Sequence, residues 1–217
     1  MMKLVLFDVD GTLLRSEFAH REVYHKMFRD VYGINARIEE IYSSGKTTQL
    51  IVEEILEKHG LGRKIAKQKI KKAILHMANG IKSKKIIILP GVKQVLQELS
   101  KNKNIKLGVV SGSAKKITEA TLKKSKLLHY FKIRSFGDNL ENRKQIIENA
   151  KRKVKTQEVV LIGDSIYDVK VAKEMHAKII AVSTGPETTY AQLKKLKPDF
   201  VFKNMFNHKR VVKAIIS

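Results

Sequence analysis

Apolar positions in this chain follow two different rhythms. Residues 3–7 form a short apolar run closed by the turn Asp8-Val9-Asp10-Gly11. A run of that length ending at a turn reads as a buried strand. From Ser16 to Asn79 the spacing becomes helical. Val23, Met27 and Val31 recur four apart, and Leu50, Ile51, Ile55 and Leu56 line one face of a second helix that stops at Gly60. Ile65, Ile70, Ile74, Leu75 and Met77 mark a third helix. No clear strand appears in this stretch.

The alternation of strand and helix resumes at Ile86. A turn at Leu89-Pro90-Gly91 leads into a helix to about Ser100, and residues 105–110 form a strand. Ser111-Gly112-Ser113 opens the next helix. Residues 132–136 read as a short strand, followed by a helix through Ile146, Ile147 and Ala150. The strand at 159–162 ends in Gly163-Asp164 and precedes another helix, and 179–182 and 200–202 complete the strands. Strands that alternate with helices imply parallel βαβ units. The expected class is therefore α/β, a Rossmann-like doubly wound parallel sheet. The expected division is a core of residues 1–14 and 88–217, with a helical cap, 15–87, inserted after the first strand. There are no internal repeats or low-complexity linkers.

Composition narrows the function. The chain has 217 residues, 43% hydrophobic, enough for one core with a small insert. It contains no apolar run of transmembrane length. Its start, MMKLVLFDVDG, lacks the features of a secretory signal. Both observations point to the cytoplasm and to no membrane partner. The absence of cysteine rules out disulfides, thiolate zinc sites and a cysteine nucleophile. Basic residues outnumber acidic ones, 44 to 21, for a net charge of +23. Such a charge attracts polyanions. The lysines are nevertheless spread over the elements, and only 6% of residues are aromatic, which argues against a base-stacking surface. Solvated helix faces are the simpler reading, so nucleic acid is not favoured, although the charge does not exclude it.

The acidic residues are placed more pointedly. Open α/β sheets bind ligands at the carboxyl ends of their strands. Three strands end in residues suited to phosphate chemistry: the first delivers Asp8 and Asp10, the second Ser111, and the third Asp164, with Asp168 one helical turn later. Carboxylates gathered in one place need a cation, and a hard dication with oxygen ligands, Mg²⁺, suits them. One carboxylate can attack phosphorus, and another can carry the proton of the leaving oxygen. The Ser111-Gly112-Ser113 turn offers a hydroxyl and helix N-terminal amides to phosphate oxygens, which makes Gly112 a candidate contact.

Asp8-Val9-Asp10-Gly11-Thr12, Val109-Val110-Ser111-Gly112-Ser113 and Gly163-Asp164-Ser165-Ile166-Tyr167-Asp168 together resemble the ordered motifs of the haloacid dehalogenase-like hydrolases. Leu89-Pro90-Gly91-Val92 and the inserted helical stretch are similar to the phosphoglycolate phosphatase and β-phosphoglucomutase branch. The resemblance covers nearly the whole chain. It implies that Asp8 is the nucleophile and a metal ligand, and that Asp10 is the general acid/base with its backbone carbonyl on the metal. It also implies that Ser111 holds the transferring phosphoryl, that Asp164 is the third protein ligand to Mg²⁺, and that Asp168 is a supporting carboxylate.

The family's basic residue is less sharply marked. In the segment 137–144 no proline follows a lysine, and either Arg143 or Lys144 can serve; the fork geometry of arginine favours Arg143. Arg15 stands where relatives commonly have aspartate, and can meet a substrate anion or a cap glutamate. Gly45-Lys46-Thr47 lacks the strand and the earlier glycine of a P-loop, Glu40 standing in that place. Related caps carry a similar turn facing the active site, which makes Lys46 a candidate substrate contact. His20 reads as structural, Ser165 as a helix cap and Ser183-Thr184-Gly185 as a turn.

The resemblance thus implies an Mg²⁺-dependent phosphatase acting on a small phosphomonoester through an aspartyl-phosphate, with phosphoglycolate the leading substrate and a sugar phosphate next. A sugar phosphomutase, which would need a cap able to exclude water, and a nucleic-acid end-processing phosphatase are the alternatives. Dehalogenation is disfavoured by Asp10. The length and the insertion do not suit a phospho-accepting receiver module.

Overall fold

A computed structural model describes residues 2–138, 142–156 and 158–217. The apolar runs become strands buried on both faces, and each sorts its side chains by alternation. In β1 (Lys3–Phe7), Leu4 and Leu6 point into one helical layer while Val5 and Phe7 point into the other. β6 (Glu158–Gly163) repeats the pattern, with Val159 and Leu161 on one side and Val160 and Ile162 on the other. Strands covered by helices on both faces lose the polar half of the usual alternation, so they appear in sequence as unbroken apolar runs.

These two strands belong to a six-stranded sheet completed by β4 (Ile105–Ser111), β5 (Ile133–Phe136), β7 (Lys178–Val182) and β8 (Phe200–Phe202). The order is β5-β4-β1-β6-β7-β8, and the pairings are parallel. The fold is thus the Rossmann-like α/β class. Connections run outward in both directions from β1, so the topological switch point falls between β1 and β6, where such sheets bind ligands. Register places Phe7 level with Val109 of β4 and Ile162 of β6. The residues that follow, Asp8, Ser111 and Asp164, therefore emerge at one end of three adjacent strands.

One layer carries α4 (Val92–Ser100) and α9 (His208–Ile216), whose Leu96, Leu99, Val211 and Ile215 join Val5 and Phe7 in one cluster. The other carries α6 (Arg143–Arg152) and α7 (Ile166–Glu174), packed through Ile146, Ile147 and Val169 on Leu4 and Leu6. α5 (Lys115–Lys124) follows β4, and the short α8 (Tyr190–Lys195) precedes β8.

After β1 the chain forms α1 (Glu17–Met27), which continues through Tyr32 in a wider winding and stops at Gly33. α2 (Thr48–Lys58) and α3 (Arg63–Ile81) follow. Val23, Met27, Phe28, Ile55, Leu56 and Met77 gather in a cluster of their own, joined by Ala114 and Ile117 of α5. Among the described residues no strand falls within 16–79, as the spacing predicts. Two short strands, β2 (Leu14–Arg15) and β3 (Ile87–Ile88), pair antiparallel where the chain leaves for these helices and returns. Among the described residues no helix is long and apolar enough to cross a membrane.

Candidate active site

Asp8 is the first residue past β1, and its amide still donates to Ile162 O at 2.9 Å, extending the β1–β6 pairing by one step. The chain then folds back tightly: the amides of Leu13 and Leu14 both donate to Val9 O. This turn needs Gly11 at φ +84°, and any side chain there would strike the Asp164 carboxylate. The glycine thus permits a backbone that other residues rarely adopt and leaves room for an acid from another strand. Thr12, held in the same turn, donates through Oγ1 to Asp164 Oδ1 at 2.9 Å.

Arg143 is the first residue of α6. Asn142 caps that helix, its side chain accepting the Gln145 amide at 3.0 Å, and the cap sets the helix phase. With that phase Arg143 turns inward. Its Nη2 donates to Asp8 Oδ1 at 2.6 Å and to Asp168 Oδ1 at 2.7 Å. The next residue lies about 100° further round the helix. Lys144 accordingly leaves the site and pairs with Glu174 on the surface at 2.6 Å, so its candidacy as the phosphate-side cation is corrected. Residues 139–141 of the same segment lie outside the described residues.

Asp168 is buried and fully engaged. Arg143 takes one oxygen, and the other accepts the Ser165 amide and hydroxyl at 3.1 and 2.6 Å. Ser165 is at the same time the cap of α7, its Oγ accepting the Asp168 amide at 3.1 Å. Ser111, buried at the end of β4, accepts the Ser113 amide at 3.1 Å.

Burial dominates the electrostatics. It pushes the Asp8 carboxyl up to about 7; Arg143 opposes the rise, and Asp168 and Asp10 add to it. Burial, then Asp8 and Asp168, hold Asp164 well above the ordinary carboxylate range. Burial works against the Arg143 charge, yet Asp168 and Asp8 outweigh it and raise its pKa. Several buried carboxyls around one guanidinium call for further positive charge. The donor set fits a small hard cation: Asp8 and Asp164 would supply carboxylate oxygens and Asp10 its backbone carbonyl. Mg²⁺ is commonly bound through one or two carboxylates, with waters and phosphate oxygens in the other positions. Among the described residues no three His, Asp or Glu side chains form a closed cage, and this donor set does not require one.

The Asp10 side chain turns toward α1. Its Oδ1 accepts a short hydrogen bond from Ser16 Oγ and lies 3.4 Å from His20 Nε2. The sequence reading leaves Ser16, His20 and Thr12 out of the site. The signal for His20 is its position, where some sugar-phosphate mutases place a cap histidine; a lone histidine on a helix otherwise reads as structural.

Above these groups lies a cavity of about 580 Å³, lined on the sheet side by Asp8, Ser111, Gly112 and Arg143 and on the other by Glu17, His20, Tyr24 and Lys46. Lys46 borders the cavity, but its Nζ is 2.5 Å from Glu54 Oε2. Arg15 does not line it. The alternation of β2 buries Leu14 and leaves Arg15 exposed, so its candidacy as a substrate contact is corrected. The turn before α2 meets the loop after β4 directly: the Thr48 amide donates to Gly112 O at 3.1 Å, and the Ala114 amide to Thr48 Oγ1 at 3.0 Å. Tyr42 and Tyr167 close one side, ring centroids 6.0 Å apart.

Comparison with known proteins agrees with this geometry. Over 220 residues the chain is 24% identical to the phosphoglycolate phosphatase of Nitrosococcus oceani, covering 97% of this chain and 96% of that protein. It is 26% identical over 186 residues to the phosphorylated carbohydrates phosphatase of Thermotoga maritima, covering 79% and 81%. A HAD hydrolase structure of family IA, variant 3, from Entamoeba histolytica superposes with a TM-score of 0.75 at 20% identity, covering all of both chains, which shows a shared fold. The family model described as haloacid dehalogenase-like hydrolase matches residues 5–182, and the chain belongs to that family.

Proposed function

We propose that this hydrolase is an Mg²⁺-dependent phosphatase that cleaves a small phosphomonoester through an aspartyl-phosphate on Asp8. The observation that carries the reading is the position of Asp8 at the switch point, with Arg143 on one oxygen and Asp164 near it. Residues 1–14 and 88–217 serve as the catalytic core, and 15–87 as a cap over it.

In the first half-reaction an Asp8 carboxylate oxygen attacks phosphorus, and the bond from phosphorus to the leaving oxygen breaks. Asp10 gives that oxygen its proton. Ser16 and His20 keep the Asp10 carboxyl on the α1 side of the cavity, where the leaving group would lie. In the second half-reaction Asp10 takes a proton from water, and the water oxygen attacks phosphorus. Inorganic phosphate departs and the Asp8 carboxylate is restored. Ser111 and the Gly112 amide hold the equatorial oxygens, and Arg143 offsets their charge. Asp8 and Asp164 would hold Mg²⁺, which would supply further neutralisation of phosphoryl charge.

The relatives' names bring three substrate classes to this site, phosphoglycolate, phosphorylated carbohydrates and pyrophosphate. The test is a panel of phosphorylated metabolites assayed for phosphate release with Mg²⁺ present and with excess chelator. Metal-dependent release from small monoesters is expected. Release undiminished by chelator, or none from any monoester, would refute the reading.

A further inference from the structure

We infer that the outer edge of the sheet, at Phe200, Phe202 and Phe206, binds single-stranded nucleic acid, the rings stacking on bases while the surrounding lysines and arginine meet phosphates. None of the three phenylalanines borders the active-site cavity, and the inference does not depend on the phosphatase reading.

Three observations carry it. The first is where the aromatic rings lie. Aromatic residues make up only 6% of the chain, yet three of its eight phenylalanines fall within 200–206. β8 ends the sheet and pairs with β7 on one side only. Alternation sends Val201 into the layer of α6 and α7, and puts Phe200 and Phe202 together on the opposite face. Their rings lie within 6° of parallel, with centroids 6.4 Å apart. Phe200 is 38% exposed, and Phe206, in the loop after β8, is 77% exposed. Open rings beside cations are the usual platform for single strands, because every base has a face to stack.

The second is charge without acids to absorb it. The segment 194–213 carries seven basic residues and one acidic residue. That acid, Asp199, accepts the Ile179 amide at 2.8 Å. Among the described residues none of the seven cations is paired with a carboxylate, whereas Lys46, Lys84 and Lys144 elsewhere each hold a glutamate. Two cations sit at the rings themselves. Lys178 Nζ is 5.3 Å from the centre of Phe200, and Arg210 Cζ is 6.0 Å from that of Phe202. A phosphate backbone following the strand would meet unpaired charge on both sides of the stacked bases.

The third decides among polyanions. A duplex hides the faces of its bases. A lipid surface is met by an amphipathic helix whose apolar side chains sink into it. Here Phe202 is packed against the core and Phe200 is fixed beside it on the same strand, which offers ring surface at the protein's edge rather than a wedge.

The experiment follows fluorescence anisotropy of a labelled oligothymidylate, and of a duplex of equal length, between about 50 and 200 mM salt. The wild type should bind the single strand more tightly than the duplex. Phe200→Ala should weaken single-strand binding by about five- to a hundred-fold, the scale of one stacked base, and leave the log–log salt slope unchanged. Lys203→Ala should instead reduce that slope by about 0.7, the value for one phosphate contact on a single strand. Phe206→Ala, at a ring that joins none of the hydrophobic clusters, gives a second variant in which the fold is not at stake, and it too should bind more weakly. Both phenylalanine variants should keep the wild-type circular dichroism spectrum and hydrolyse p-nitrophenyl phosphate at the wild-type rate. Unchanged affinity in both, or a preference for the duplex, would reduce the effect to diffuse charge and overturn the inference. So would loss of binding to phosphatidylserine–phosphatidylcholine vesicles in Phe200→Ala with oligonucleotide binding intact, which would assign the edge to a lipid surface.

Discussion

Asp168 Oδ1 accepts two hydrogen bonds from Arg143, at 3.1 Å from Nε and 2.7 Å from Nη2. With Ser165 fixing the other Asp168 oxygen, the guanidinium has one orientation in which Nη2 also reaches Asp8.

Arg143→Ala should therefore lower kcat/KM for p-nitrophenyl phosphate by roughly ten- to a hundred-fold, the range for losing a hydrogen bond to a charged group. Arg143→Lys should recover only part of it, because an ammonium cannot span Asp8 and Asp168 as a planar fork does. Lys144→Ala should stay within about twofold, since a surface ion pair contributes little. Steady-state kinetics on the three variants separates these outcomes; equal losses at 143 and 144 would show that both cations reach the phosphate.

Asp8→Asn should abolish turnover while leaving the circular dichroism spectrum and cooperative unfolding intact. The amide cannot attack phosphorus, so acid quenching after mixing with labelled substrate should trap phosphate on the wild type and none on the variant. Substantial residual activity would remove Asp8 from the nucleophile's role.

Metal removal should stop the reaction, and Asp164→Ala should raise the Mg²⁺ concentration needed for half-maximal rate or eliminate the rate. Titration of activity against Mg²⁺ in both proteins checks this, and an unchanged requirement in the variant would take Asp164 out of the metal set.

Stability of the metal-free protein should fall as pH rises. The Asp8 carboxyl, raised to about 7 by burial, keeps its proton in the fold where the unfolded chain has released it. A raised pKa contributes stability that is fully present below the ordinary carboxylate value and is lost as pH climbs through the folded one. Thermal unfolding in chelator should show Tm decreasing between about pH 4 and pH 7. Mg²⁺ should restore more stability at the upper end of that window than at the lower, and a Tm that rises across it would contradict the assignment.

Arg15→Ala should alter kcat/KM by less than about twofold on any substrate, because an exposed side chain away from structural features seldom matters. A selective loss on carboxylate-bearing substrates would show that the side chain swings into the cavity.

Much of this architecture is legible in the sequence because the strands are sandwiched between helices. Burial on both faces turns 3–7 and 159–162 into apolar runs that periodicity detects directly. The β2–β3 ribbon is invisible to that method, since two residues are too few to show a period. α9 is legible in principle, since Val211, Val212 and Ile215 carry helical spacing. Within the site, Asp8, Asp164 and Ser111 are legible because strand ends place them. The choice between Arg143 and Lys144 depends on helix phase, which the Asn142 cap determines. The Asp10 contacts with Ser16 and His20 depend on how α1 leaves the hinge, and no spacing rule encodes that.

The Thr48 contacts tie two functions to one stretch of chain. Gly112 O and the Ala114 amide, which engage Thr48, belong to the loop after β4 that carries Ser111, the proposed phosphoryl contact. Any outward swing of the 45–48 turn must break both bonds and free the backbone beside Ser111. On the proposed function, grip on the phosphate and movement of the 45–48 turn would be a single mechanical event. An enzyme wired in this way would loosen its hold on inorganic phosphate in the act of opening, which makes departure of the product the step most exposed to mutation at Thr48.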